Sequence, residues 1–367
     1  MKKMKLQDCC IFISDGDHQA PPKSDKGVPF ITISNITTDN RIDFSNVMYV
    51  PLEYYEQLSE KSKAIKNDIL YSVVGSFGKP VLIEEDRKFV FQRHIAILRP
   101  NLEKVIPEFL YYTLLNPQFY TVADYLAIGA AQRTISLESL RNIEIELPSL
   151  SQQKRIVDVI APIDKKIHEN AMINDYLQRQ IQLLYDYWFT QFNFPGDDGR
   201  PYKATNGLMV WNEKINQIIP ADWQVKPLGA ICSFRNGINY DKNVEGNTVY
   251  KIINVRNISS STLFLDESNF DMICLPQQQG DKYRVSNDSI IIARSGIPGT
   301  TRILYNPSSN IIFCGFIICC TPYDNTLQNY LTLYLRQFEG SSATQTGGSI
   351  LNNVSQETLK NLLVPIP

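Results

Sequence analysis

The chain has 367 residues, 43% hydrophobic and 11% aromatic, with a formal net charge of −2. Such a composition suits two or three folded domains and excludes a disordered or collagen-like chain. No apolar run reaches the ~18 residues of a membrane-spanning helix, and the near-neutral charge shows no basic domain, so any contacts to nucleic acid are local or shared with a partner.

The start, Met1 to Asp8, is basic but is followed by no apolar stretch, which predicts a cytoplasmic protein. Residues 1–150 read as mixed α and β. Val28 to Ile33 is strand-like, and the turn residues Asn67-Asp68 introduce a second strand from Ile69 to Val74. Gly75-Ser76-Phe77-Gly78-Lys79-Pro80 is a glycine-rich loop. Val81–Ile83 and Phe89–Phe91 are predicted to form a hairpin around the charged turn Glu84 to Lys88. Pro107 to Leu115 reads as a helix with Phe109, Leu110, Leu114 and Leu115 as its apolar residues.

Residues 151–192 change character. Between Gln152 and Gln191 there is no glycine and one proline. Ile156, Ile160, Ile163, Ile167, Asn170, Asn174, Leu177, Ile181, Leu184 and Trp188 follow one another in alternating steps of four and three, close to a heptad seam. One long helix is predicted, with Pro162 either kinking it or marking a late start. An amphipathic helix of this length needs a partner to cover its stripe. Residues 193–225 are rich in Gly, Pro and Asp and are predicted to be a linker. A second α/β module is predicted over 226–367.

The second module repeats the first. Residues 28–148 and 248–367 carry one pattern at an offset of about 219–222. Asn67-Asp68 answers to Asn287-Asp288, Gly75 and Gly78 to Gly296 and Gly299, and Ser136 and Pro148 to Ser355 and Pro367. A unit this long is a duplicated domain rather than a solenoid repeat of roughly 20–50 residues. Two similar modules suit a target with two related halves.

Catalytic patterns are weak. Asn116-Pro117-Gln118-Phe119 departs from the Asn/Asp-Pro-Pro-aromatic motif of amino-methyltransferases and is read as a turn. Asp68 with Glu84, Asp86 and Lys88 can be forced into a nuclease-like carboxylate cluster, but the second copy has no match. Asp15-Gly16-Asp17-His18 is read as a loop rather than a metal site. The glycine loops lack the lysine and Ser/Thr of a phosphate-binding loop. Seven cysteines without a CxxC pair, and three histidines away from them, predict buried thiols and no metal.

What repeats is a different chemistry: Arg, Lys, Asn and Gln stand near the glycine loops and after equivalent strands, differing between the copies while the apolar frame matches. They are Asn35, Lys79, Gln92, Arg93, Gln132 and Arg133 in the first copy and Arg256, Asn257, Arg294 and Arg302 in the second. The segment from Gly129 to Thr134 answers to the segment from Thr346 to Asn353. These side chains read guanine and adenine edges in the major groove, and glycine lets backbone amides approach phosphates. They are the candidate DNA-binding residues.

Asp15-Gly16-Asp17-His18-Gln19-Ala20-Pro21-Pro22, Leu147-Pro148-Ser149-Leu150-Ser151-Gln152-Gln153-Lys154-Arg155-Ile156, Leu184-Tyr185-Asp186-Tyr187-Trp188-Phe189 and Ile219-Pro220-Ala221-Asp222-Trp223 occur in one order with the duplication. In that order they resemble the DNA-specificity subunit of type I restriction-modification systems across essentially the whole chain. The resemblance implies an α+β architecture: two similar mixed α/β target recognition domains joined by a long coiled-coil-type spacer helix. It implies a non-catalytic subunit that binds a bipartite double-stranded DNA target and directs adenine methylation and restriction by others. The implied partners are two methyltransferase subunits and a restriction subunit. S-adenosylmethionine, ATP and Mg belong to those partners, with no cofactor in this chain. The helix residues Ile156, Ile160, Ile163, Ile167, Leu177, Ile181, Leu184 and Trp188 are expected to face another chain.

The sequence departs from the family in one respect. It ends at Pro367 without the second spacer helix that normally packs on the first, so a second specificity chain supplying that helix is an expected partner. Two alternatives stand beside this reading: a degenerate DNA-modifying enzyme, methyltransferase or nuclease, and a truncated, inactive recombination product.

Overall fold

The computed structural model describes residues 2–129, 132–240, 246–339 and 354–367. It resolves into two units, Met1–Ile173 and Asn174–Pro367. The strands of the first, in chain order, are β1 (Lys2–Lys5), β2 (Cys10–Asp15), β3 (Val28–Ile31), β4 (Met48–Val50), β5 (Ile69–Ser72), β6 (Pro80–Leu82), β7 (Val90–Phe91), β8 (Ile95–Pro100) and β9 (Glu144–Leu147). They form a four-stranded sheet in the order β2-β8-β5-β6, a three-stranded sheet β4-β3-β7 and a small pair β1-β9. β5 and β8 are buried along almost their whole length, which explains why their sequences read as unbroken apolar runs. Helices Pro107–Leu115, Pro117–Leu126 and Leu137–Asn142 cover the larger sheet, with Phe109, Leu110, Leu114, Phe119 and Leu140 in the shared core.

The second unit has β10 (Met209–Asn212), β11 (Gln217–Pro220), β12 (Gln224–Pro227), β13 (Cys232–Asn236), β14 (Thr248–Ile253), β15 (Asp271–Leu275), β16 (Ile290–Ala293), β17 (Thr301–Ile303), β18 (Ile311–Phe313), β19 (Ile317–Pro322) and β20 (Leu363–Ile366). Its sheets are β13-β19-β16-β17, β15-β14-β18 and β12-β20, the same orders position for position. In both units the three-stranded sheet has one parallel pair, β3 with β7 and β14 with β18. The duplication read from sequence is therefore a duplication of topology. The added pair β10-β11 has no counterpart in the first unit among the described residues.

Three expectations change. Val81–Ile83 and Phe89–Phe91 do not pair with each other. β6 joins β5 in the larger sheet, while β7 runs parallel to β3 in the smaller one. A charged turn brings the chain back but does not choose its partner; the buried faces of Val81 and Phe91 each found a different sheet. The long helix runs Leu150–Tyr185 and continues as a π-helical turn, Asp186–Thr190. It begins twelve residues before Pro162, so the proline lies inside the helix and no late start occurs. The start is fixed by Ser149 and Gln152. Gln152 donates its N–H to Ser149 Oγ (3.4 Å), and its Oε1 accepts the Ser149 N–H (3.1 Å), a reciprocal capping box. Finally, residues 193–225, expected as a linker, contain the β10-β11 hairpin and a hydrophobic cluster in which Phe194, Ile219 and Trp223 pack with Phe192. Turn-forming residues mark a tight hairpin as well as a linker.

Six cysteines are buried free thiols, and Cys274 is exposed. Among the described residues no helix is long and apolar enough to cross a membrane.

Candidate nucleic-acid interface

Topology gathers the candidate residues of each unit at one edge. β2 and β8 are antiparallel, so the exit of β2 at Gly16 lies beside the entry of β8 at Ile95. β5, antiparallel to β8, ends at that edge and delivers the loop Gly75–Gly78. β3 and β7 are parallel and end together, where the N–H of Gln92 donates to the Ile31 carbonyl (3.0 Å). Backbone bonds tie these loops into one surface: Arg93 N–H to Asp17 O (2.9 Å), Val73 N–H to His94 O (2.9 Å) and Gly75 N–H to Arg133 O (2.8 Å). The second unit repeats the arrangement with Gly237 N–H to Ile317 O (3.1 Å), Arg294 N–H to Phe316 O (2.9 Å) and Cys314 N–H to Ile253 O (3.0 Å). Gly75, Gly78, Gly296 and Gly299 all adopt left-handed backbone, with φ of +69°, +88°, +80° and +83°. Both loops therefore turn the same way and require glycine to do so.

On the first unit's edge, Lys79, Gln92, Arg93 and Gln132 make no side-chain hydrogen bond or ion pair among the described residues. Arg93 and Gln132 are exposed, Lys79 and Gln92 half-buried. Four side chains thus keep unused donors or acceptors for a ligand. Arg133 is tied down: its guanidinium donates to the carbonyl and carboxylate of Asp124, while its Nε is buried without a partner among the described residues. Phe77 stacks on Tyr120 (5.4 Å between ring centroids), and Tyr125 and Ile128 stand exposed nearby in sequence.

Asn35 and Asn257 are a matched pair with a structural task. Asn35 Oδ1 accepts the N–H of Thr32 (2.9 Å), and its amide donates to Asn46 O (3.3 Å). Asn257 Oδ1 accepts the N–H of Asn254 (2.8 Å), and its amide donates to Asn269 O (2.8 Å). Each caps the turn that follows its strand, and Asn257 is only 4% exposed. Arg302 is also withdrawn from the surface. It is 7% exposed and donates to Ser261 O (3.0 Å), Thr301 O (2.7 Å) and Glu339 (2.6 Å). As folded, Asn257 and Arg302 have no face to offer a base edge, a correction to their place among the candidate readers. Arg256 is exposed and paired with Asp271, and Arg294 donates to Gly315 O (3.2 Å). The segment from Thr346 to Asn353 lies outside the described residues, as do Ala130 and Ala131.

The carboxylates of the forced nuclease-like cluster do not converge. Asp68 is buried and accepts two bonds from Arg99 (2.9 and 2.8 Å), Glu84 pairs with Arg41 (2.7 Å), and Asp86 accepts the N–H of Lys66 (2.8 Å). Asn116 caps helix Pro117–Leu126 by accepting the Gln118 N–H (2.8 Å), the task of a turn residue. Among the described residues no group of three His, Cys, Asp or Glu could hold a metal ion.

On the long helix, Ile156, Ile160, Ile163, Ile167, Leu177, Ile181 and Leu184 are all exposed. Salt bridges Lys154–Asp158, Lys165–Glu169 and Arg179–Asp175 occupy other positions along it and stabilise it by a few tenths of a kcal/mol each. Trp188 is half-buried beside Phe189 (6.1 Å). The end of the helix is anchored instead by Tyr185 and Phe189, packed on Tyr330 at 5.9 and 4.9 Å.

A family model described as type I restriction modification DNA specificity domain matches residues 1–179 and 220–367. The chain belongs to that family. Among curated relatives of this DNA specificity chain is the type I restriction enzyme HindI specificity subunit of Haemophilus influenzae, 28% identical over 45% of this chain and 36% of its own length. The EcoBI specificity subunit of Escherichia coli is 30% identical over 42% of this chain and 31% of its own. The chain thus aligns with about a third of these relatives' length. The S subunit of the type I restriction-modification system from M. genitalium is similar in fold, with a TM-score of 0.53 and 16% identity over 99% of this chain and 84% of that one. The α+β architecture of two sheet-rich modules with a long helix between them in sequence is that of type I S subunits.

Sequence reasoning missed the apolar members of the edge. Phe316, directly before β19, and Ile297, in the second glycine loop, are exposed. Their counterparts, counted from the first residues of β8 and β19 and from the paired glycines, are His94 and Ser76. Aligning the two copies and marking where a polar residue becomes apolar would have found both.

Proposed function

We propose that this chain is the DNA-recognition subunit of a type I restriction-modification complex, itself without catalytic activity. Each module reads one half of a bipartite duplex target through the loop edge of its larger sheet, and the long helix is the spacer between the two readings. Two methyltransferase subunits carry out adenine methylation, with S-adenosylmethionine at their sites, and a restriction subunit using ATP and Mg completes the complex. The exposed seam from Ile156 to Leu184 is the surface on which partner subunits pack.

One observation carries this reading. Two units of the same topology present different side chains at the same edge: Lys79, Gln92, Arg93 and Gln132 in one, Arg256, Arg294, Ile297 and Phe316 in the other. A duplicated scaffold with divergent edges is what two readers of different half-sites require, since sequence is read by side chains and position by backbone. Residues 1–150 and 226–367 are the two proposed recognition domains, with 151–192 as spacer.

Methylome sequencing of cells expressing the chain with its cognate methyltransferase subunit tests the proposal. A single motif of two half-sites around a fixed gap is expected. Methylation or cleavage of DNA by the purified chain alone would refute it in favour of a degenerate enzyme.

A further inference from the structure

The first turns of the long helix carry a side chain out of keeping with an exposed rod. Gln153 is 0% exposed, although glutamine is mostly found at surfaces. Its Oε1 accepts the N–H of Ile106 (2.8 Å), and its Nε2 donates to the carbonyls of Lys104 (3.0 Å) and Pro148 (2.9 Å). One amide thus satisfies two backbone groups of the module, just ahead of helix Pro107–Leu115, and one at the entry to its own helix. Val157, one turn on, packs against the module's core. Farther along, His168 Nδ1 lies 3.3 Å from Asp39 Oδ2. Asp39 sits in a turn closed by Thr37 N–H to Arg41 O (2.9 Å) and braced by Arg41 to Glu84 (2.7 Å). From Gln153 to His168 is about 22 Å along the helix at 1.5 Å per residue. Two attachments so far apart fix a direction as well as a position.

We propose that Gln153 is a positioning residue for target spacing: with the outer contact His168–Asp39, it holds the long helix at one angle to the first module and so restricts the accepted gap to one length. The inference rests on the recognition-subunit reading above. The lever shows how tight the hold must be. Over a helix of about 54 Å, a tilt of about 4° displaces the far end by about 3.4 Å, the rise of one base pair.

The test is methylome sequencing with the cognate methyltransferase subunit and the full chain as wild type, Gln153→Met, His168→Ala, Asp39→Ala and the Gln153→Met/His168→Ala double variant. The half-site sequences should stay the same. Methylation at sites whose gap is one base pair longer or shorter should rise about tenfold or more in Gln153→Met, as expected for loss of the two hydrogen bonds that join the helix to the module. The double variant should exceed it. His168 and Asp39 lie toward solvent, so their variants keep the fold and show a smaller broadening even if Gln153→Met fails to fold. Variants that methylate only the wild-type gap, at any level, would overturn the inference, since a purely structural role lowers all sites alike. A wild type with no bipartite motif would instead bring down the parent reading.

Discussion

Gly237 offers the sharpest test of the fold that presents the edge. A Cβ at this position would lie 2.0 Å from the Cys314 carbonyl oxygen and 2.5 Å from that of Phe313, where real Cβ atoms keep at least 3.0 Å. In Gly237→Ala the Cys314 carbonyl must therefore retreat by about 1 Å. It cannot do so freely, because Cys314 N–H donates to Ile253 O (3.0 Å) and Gly315 N–H to Ile238 O (2.8 Å). Losing these two bonds at about 1 kcal/mol each, with overpacking of about 1–3 kcal/mol, predicts a destabilisation of about 3–5 kcal/mol. That is a large share of the ~5–15 kcal/mol stability of a domain. The tryptophans Trp188, Trp211 and Trp223 all belong to the second unit, so guanidinium unfolding followed by tryptophan fluorescence reads the effect directly. Gly196→Ala is the control, since its Cβ would meet nothing closer than 3.5 Å. If Gly237→Ala unfolds at the same denaturant concentration as Gly196→Ala and wild type, the close-approach argument fails. Gly16→Ala, where the contact is 2.3 Å to Phe91 O, should do the same to the first unit, seen as faster hydrogen exchange at the Asp17 and Arg93 amides.

Arg93→Ala removes an exposed side chain without a partner among the described residues, so the unfolding free energy should move by less than ~0.5 kcal/mol. Binding to the cognate target should weaken by roughly 1–3 kcal/mol, with one base position relaxed; an equal loss on every sequence, in a competition assay, would mean that it touches only phosphate. Arg302→Ala should behave in the opposite way. Removing Arg302 from its part-buried pair with Glu339 costs about 3 kcal/mol of stability, the low end for such a pair because Glu339 keeps Arg336 at 3.4 Å. The same unfolding assay measures it, and Glu339→Gln should share much of that loss. Burial pushes the Tyr334 hydroxyl, which donates to Leu363 O (2.9 Å), up to about 12. Its folded-state value lies above the unfolded value near 10, so its contribution is complete below pH ~10 and is lost as pH rises toward 12. Denaturation midpoints from pH 8 to 12, recorded beside phenolate absorbance, should fall over that window; a flat profile would contradict the burial.

How far the interface could be read in advance depended on residue type. Asn35 and Asn257 stood out because they follow equivalent strands, but they recur because the same turn needs the same cap in both copies. Repetition marks the frame, and divergence marks the reader. Arg302 resembled a DNA contact until Glu339, 37 residues on, proved to cover it. Arg93 and Lys79 gave no stronger signal in the sequence than Arg302, yet among the described residues they are the ones left without a partner. Phe316 and Ile297 were passed over because an apolar residue beside an apolar strand reads as core.

The sequence by itself determined the duplication, the module type and the long helix. Those depend on local period and on recurrence: alternating steps of four and three at 151–192, apolar runs in β5 and β16, glycines where the backbone turns left-handed. Only the tertiary structure decided which strand pairs with which, and which polar groups remain available. β6 and β7 are separated by one charged turn, yet they entered different sheets because their buried faces meet different neighbours. Gln153 looks like any surface glutamine in the chain, and only the packing of Lys104 and Ile106 against the helix start makes it a buried joint. Strand pairing and desolvation are long-range properties, set by which surfaces exclude water together, and no window of sequence contains them.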